Sequence, residues 1–264
     1  MTTCHPGNYF LRCRSAILIC VFFLVIPVAS AQQVMVAAAS DLVYCLDELN
    51  REFRRINPET NVIASVGSSG TFFAQIRNGA PFDVYMSADM SFPQRLIAEN
   101  AADADSLMPY AIGRIVVWTL RDDLDIKGGL GRLTDPRIGR IAIANPDHAP
   151  YGRAAKAAME KAGIWKALAP KIVYGENISQ ARQYVQTGNA DAGIIALSLV
   201  MAPHLRGIGK FEVVPEDLHP RLEQGAVLTL QGAANPAARE YIDFLRGQRA
   251  RRIFERYGFV LPAQ

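Results

Sequence analysis

Short apolar runs that end at Ser or Gly alternate along this chain with stretches whose apolar residues recur every three to four positions. Residues 34–39 predict a buried strand. Leu42, Leu46, Leu49, Phe53 and Ile56 then mark one helical face that stops before Asn57-Pro58. A strand over 61–66, a short helix over 71–78 closed by Gly79, and a strand over 82–87 follow. A helix over 92–100 opens near Ser91-Phe92-Pro93. After a longer apolar run, 111–120, with Gly113 and Arg114 near its start, the pattern begins again. It gives strand 141–144, helix 152–162, strand 171–174, helix 179–187 and strand 192–196. Strands at 211–214 and 225–230 and helices at 236–246 and 249–256 finish the chain.

This order predicts an α/β protein with largely parallel sheets and ligand loops at the carboxyl ends of the strands. No Pro/Gly/Ser-rich linker separates the two α/β units, which argues for interleaved lobes rather than beads on a string. The runs at 112–118 and 225–230 are placed as a pair of crossings, with the C-terminal helices returning to the first lobe. The first lobe then comprises 32–114 plus 228–264, and the second 115–227.

The first 31 residues stand apart. Arg12 and Arg14 precede an apolar run over 16–28, and Ala29-Ser30-Ala31 is a small-x-small cleavage site. They predict a cleaved secretory signal peptide and a periplasmic location. Cys4, Cys13 and Cys20 leave with it, so the mature chain keeps only Cys45, on the apolar side of a helix, and has no internal disulfide. Loss of two arginines and no acid lowers the formal charge from +3 to about +1. A near-neutral exported chain gives no ground for a nucleic-acid partner. At 264 residues, 50% hydrophobic and 20% charged, it can bury a sizeable core.

The candidate chemistry lies at four turns where a strand passes into a helix. Ser40-Asp41 and Gly67-Ser-Ser-Gly-Thr71 occupy two of them; His148-Ala-Pro-Tyr-Gly152 and Gly175-Glu-Asn-Ile-Ser179 occupy the others. Each reads equally as a plain helix cap or tight turn. Together they gather unpaired N–H groups and hydroxyls with almost no Lys or Arg, a donor set suited to a fully ionised oxyanion. The Asp41 carboxylate would repel a dianion, so its N–H is expected to matter and its side chain to face away. The Gly67 to Thr71 stretch has neither the Lys of a Walker loop nor the spacing of Gly-x-Ser-x-Gly. His148 stands at no metal-ligand spacing, and His204 and His219 read as surface residues.

The mature chain resembles, over nearly its full length, the periplasmic molybdate-binding proteins of ABC importers. The resemblance rests on Ala37-Ala-Ala-Ser-Asp-Leu42, Gly67-Ser-Ser-Gly-Thr71 and Gly79-Ala-Pro-Phe-Asp-Val-Tyr-Met-Ser-Ala-Asp89. It continues through Ile143-Ala-Asn-Pro-Asp-His148, Pro150-Tyr-Gly152, Gly175-Glu-Asn-Ile178 and Arg256-Tyr-Gly-Phe259. It implies a type II periplasmic binding fold of two lobes joined by two crossings. It also implies oxyanion donors at Ser40, Ser69, Tyr151 and the Ile178 amide, with Asp41 at a position that contacts the anion in some members. One branch of the family draws a tyrosine from the segment that here reads Gly193-Ile-Ile-Ala196, where this chain has none. Tyr151 matches the placement in a second branch.

The expected function is capture of molybdate or tungstate by a monomer that delivers it to a membrane permease with a cytoplasmic ATPase. Neither a cofactor nor enzymatic activity is expected. The alternatives are a sulfate or thiosulfate binder of the same fold, a phosphate binder needing Asp41 turned inward, and an exported hydrolase using Ser68 or Ser69 with His148 and Asp83. An iron-binding variant is disfavoured, because no adjacent tyrosine pair is present.

Overall fold

The structure is a computed structural model describing residues 1–4 and 32–263, and the second stretch forms the folded body. The leader with Arg12, Arg14 and the cleavage site lies outside the described residues. Strand β1 (Gln32–Ala39) ends in a 3-10 turn, Ser40–Leu42, that runs into helix α1 (Val43–Ile56). Strand β2 (Thr60–Gly67), helix α2 (Ser69–Arg77), strand β3 (Val84–Ser87), helix α3 (Ser91–Ala98) and strand β4 (Met108–Gly113) follow. The next elements are β5 (Ile115–Thr119), β6 (Ile141–Ala144), α4 (Pro150–Lys161), α5 (Trp165–Leu168) and β7 (Ile172–Gly175). Then come α6 (Ile178–Gln186), β8 (Ala192–Ala196), α7 (Leu197–Val200) and β9 (Lys210–Val213). Strand β10 (Leu222–Leu228) and helices α8 (Leu230–Ala233), α9 (Pro236–Arg246) and α10 (Gln248–Arg256) complete the fold.

Two five-stranded sheets result, in the orders β2-β1-β3-β10-β4 and β7-β6-β8-β5-β9. In the first, β1 runs parallel to β2 and β3, and β10 runs antiparallel to β3 and β4. In the second, β6 is parallel to β7 and β8, and β5 is antiparallel to β8 and β9. The three parallel strands that make up one side of each sheet send their carboxyl ends toward the same turns, the arrangement expected of alternating β and α segments.

The 111–120 run is one apolar stretch in sequence but two strands in space. It breaks at Arg114, whose guanidinium donates to the Gly258 carbonyl at 2.9 Å, and crosses there from the first sheet to the second. The second crossing falls earlier than 225–230. All of β10 belongs to the first sheet, with Leu222 opposite Gly113, so the chain returns between Val213 and Leu222. The lobe boundary at 227 moves back accordingly. Glu223 and Gln224 disguise the start of this strand, since neither reads as a strand core, yet Gln224 is fully buried.

The C-terminal helices do pack on the first lobe. Tyr241 meets Phe53 edge to face at 5.0 Å, and Phe254 stacks on Tyr110 at 5.2 Å. Cys45 is buried in the same core. His219 is also buried, against the expectation of a surface residue, with Nδ1 2.8 Å from the Pro220 carbonyl.

Candidate functional site

Four turns meet at one small cavity between the two sheets. Ser40, Asp41, Ser68 and Ser69 line it from the first lobe, and Tyr151 and Ile178 from the second. Its volume is only about 10 Å³, far below the roughly 300–1,000 Å³ of pockets that hold drug-sized ligands. No Lys or Arg lines it. The five residues singled out in sequence are brought together here, each no more than 3% exposed.

Each turn presents donors for a local reason. At α6, Asn177 caps the helix and accepts from the amides of Ser179 and Gln180 at 3.0 and 3.1 Å. That cap leaves the Ile178 amide unused. At α4, Pro150 occupies the first helical position and has no N–H, so Tyr151 is the first residue of this helix able to offer an amide. At α2, Ser69 Oγ accepts from the Ala88 amide at 3.0 Å, which leaves its own proton for another acceptor. Ser40 begins the turn after β1 and lines the cavity. These helix starts also carry the positive ends of their macrodipoles.

The Tyr151 hydroxyl is not free. It donates to Asp41 Oδ2 at 2.9 Å, and Gln224 Nε2 donates to the same oxygen at 2.7 Å. The Asp41 side chain is thus turned onto Tyr151 and Gln224, while Oδ1 has no partner among the described residues. Burial raises the Asp41 carboxyl to about 6, against the lowering effect of the bonds from Gln224 and Tyr151. Burial, reinforced by Asp41, holds the Tyr151 phenol well above its ordinary range, so it is a neutral donor. This cluster joins the two lobes beside the crossings. Gly113 makes room for it: a Cβ there would lie 2.2 Å from Tyr151 Oη and 2.8 Å from Gln224 Nε2.

Gln224 and Gly113 were missed in the sequence. The one signal for Gln224 is an uncharged polar residue inside an apolar strand; nothing marks Gly113 beyond its place in an apolar run.

Further contacts close the cleft. Ser68 Oγ and the Gly70 amide both donate to the His148 carbonyl, at 2.6 and 3.0 Å. A Cβ at Gly70 would sit 2.6 Å from that carbonyl, so this close approach depends on glycine. Arg153 on α4 pairs with Asp89 before α3 at 2.6 Å, and Ser198 Oγ donates to the Asp41 carbonyl at 2.8 Å. The lobes therefore stand closed.

The hydrolase constellation is assembled only in part. Ser68 Oγ lies 3.0 Å from His148 Nδ1, but Asp83 accepts the Met35 amide at 2.7 Å, inside the first sheet. Among the described residues no group of three or more His, Cys, Asp or Glu is placed to hold a metal ion. No helix among them is long and apolar enough to cross a membrane.

Residues 34–260 match the model of a family described as bacterial extracellular solute-binding protein. The chain is 38% identical to the molybdate-binding protein ModA of Rhodobacter capsulatus, over 95% of this chain and 96% of that one. It is 37% identical to ModA of Azotobacter vinelandii, over 88% and 92% of the two chains. The structure of the Azotobacter vinelandii periplasmic molybdate-binding protein superposes with a TM-score of 0.83 at 31% identity, covering 87% of this chain and all of that one. The sulfate-binding protein SubI of Mycobacterium tuberculosis shares the fold, with a TM-score of 0.71 at 14% identity over 87% of each chain.

Proposed function

The chain belongs to the bacterial extracellular solute-binding proteins, and from that premise we propose that it captures molybdate, and tungstate with it, between its two lobes. It delivers the anion to the permease of an ABC importer and performs no chemistry on it. One observation carries this reading: four strand-to-helix turns converge on one small cavity between the lobes without a lining cation. Donors fixed by the fold replace the water around a dianion without the cost of reorganising at the moment of binding.

The assigned donors are the hydroxyls of Ser40 and Ser69, the Ile178 amide and the start of α4 at Tyr151. A ligand that only accepts hydrogen bonds matches them. Because each lobe supplies two of the four turns, the anion contacts both only in the closed form. Closure is thereby favoured by differential binding. Asp41 supports the site from behind, through its bonds to Tyr151 and Gln224. Export, a monomeric state and a partnering ATPase belong to the same proposal.

The test is calorimetric titration with molybdate, tungstate, sulfate and phosphate at neutral pH, paired with an ester-hydrolysis assay. The reading expects one-to-one binding of the first two, much weaker sulfate and no turnover. Tighter sulfate or phosphate would overturn the substrate while leaving the family in place.

A further inference from the structure

Helix α6 buries Ile178, Ala181, Arg182 and Val185 along one stripe. Three of the four suit a core; Arg182 does not. It is only 7% exposed, and its Nε and Nη1 have no hydrogen-bond partner among the described residues. Its guanidinium lies 5.3 Å from the ring centre of Tyr44, and none of the ion pairs among the described residues includes it. Removing a guanidinium from water without a counter-charge is strongly unfavourable.

Its position suggests what compensates it. Arg182 follows Ile178 by four residues on α6, and Tyr44 follows Ser40 by four residues on the way into α1. Ile178 and Ser40 both line the cavity. Arg182 and Tyr44 each therefore lie about 6 Å along their segment from a cavity-lining residue, and the pair brings α6 of the second lobe against α1 of the first. Arginine keeps its charge at neutral pH even though burial lowers its pKa.

We propose that Arg182 is a specificity-determining residue that compensates the charge of the bound oxyanion through the protein interior, without touching it, and so favours dianions over monoanions of the same shape. This rests on the oxyanion-binding reading and adds to it a charge selectivity that the hydroxyl and amide donors of the lining alone do not supply. The donors in the lining recognise a tetrahedron of oxygens; Arg182 weighs its charge.

The experiment compares molybdate, a dianion, with perrhenate, a tetrahedral monoanion, on the full mature chain by calorimetry and by displacement of tungstate. Coulomb energy is proportional to ligand charge, so a purely electrostatic effect is twice as large, in logarithm, for the dianion. Arg182→Gln is expected to weaken molybdate about 100-fold and perrhenate about tenfold, while Arg182→Lys holds molybdate within about threefold of the parent. Should Arg182→Gln not fold, Arg182→Met, which preserves side-chain length against Tyr44, carries the same comparison. Equal losses for both anions would show that Arg182 only packs the lobes together and would overturn the proposal. Unchanged binding of both would overturn it too, while leaving the functional reading intact. A parent chain that binds neither anion would remove that reading itself.

Discussion

Two concave regions of this molecule offer themselves to an anion, and they differ in kind. Between α1 and α10 runs an open groove of about 850 Å³, lined by Arg51, Arg55, Arg249, Arg252 and Arg256 together with Glu48, Glu52 and Glu255. The cavity between the lobes is far smaller, about 10 Å³, and has no cation in its lining. By charge alone the groove is the better anion site. Three of its five arginines, however, are already engaged with acids of the same two helices: Arg55 and Arg249 bond Glu52, and Arg256 bonds Glu48. The Arg55 and Arg249 bonds pull the Glu52 carboxyl down to about 2. Pairs at such exposure are screened by water and salt and contribute little. The cavity works by the opposite means: N–H and O–H dipoles fixed by the fold among buried residues, with the Arg182 guanidinium set behind them. Anion recognition here follows preorganisation rather than the density of positive charge.

Variants can break or sharpen this contrast. The largest effect is expected from Asp41. A carboxyl raised from 3.8 to about 6 binds more protons folded than unfolded, so its contribution to stability falls as pH rises from about 4 to about 6. Denaturation without ligand should find Asp41→Asn more stable than the parent by about 3 kcal/mol at pH 7, an advantage gone by pH 4. An advantage independent of pH would show that the carboxyl is not strained by burial.

Next comes Ile178→Pro. Proline is tolerated at the first helical position, and Asn177 already has the extended backbone that a following proline requires. The variant should fold, lose one donor to the anion and bind molybdate about 10- to 100-fold more weakly by calorimetry. Retained affinity would remove the α6 amide from the site. Asp89→Asn breaks the partly exposed pair with Arg153 across the cleft. It should raise the molybdate dissociation rate a few-fold in stopped flow and leave association unchanged, in keeping with about 1 kcal/mol or less for such a pair. The smallest effect is expected in the groove. Arg51→Gln with Arg252→Gln should change molybdate affinity less than about twofold, and a larger loss would return the groove to consideration.

Much of this contrast is readable in the chain itself. The four turns are legible because each sets a cap or a small residue between an apolar strand and a periodic helix, as Asn177 does ahead of Ile178. The two interleaved lobes follow from the repeated β-α pattern and the absence of a linker. What escapes the sequence depends on contacts between distant residues. Asp41 and Gln224 are 183 positions apart, and only folding brings them to one oxygen. The Tyr151 hydroxyl therefore reads as an anion donor until the Asp41 carboxylate is found beside it. The start of β10 is hidden by Glu223 and Gln224, and the burial of Arg182 by its ordinary look on a helix.

The most direct measurement is a crystal structure of the mature protein grown with tungstate, located by the anomalous scattering of tungsten. The account predicts one tungsten atom per chain, in the cavity among Ser40, Ser69, Tyr151 and Ile178, and none in the arginine groove. Tungsten seated against Arg51 and Arg252, with the cavity holding only water, would contradict it.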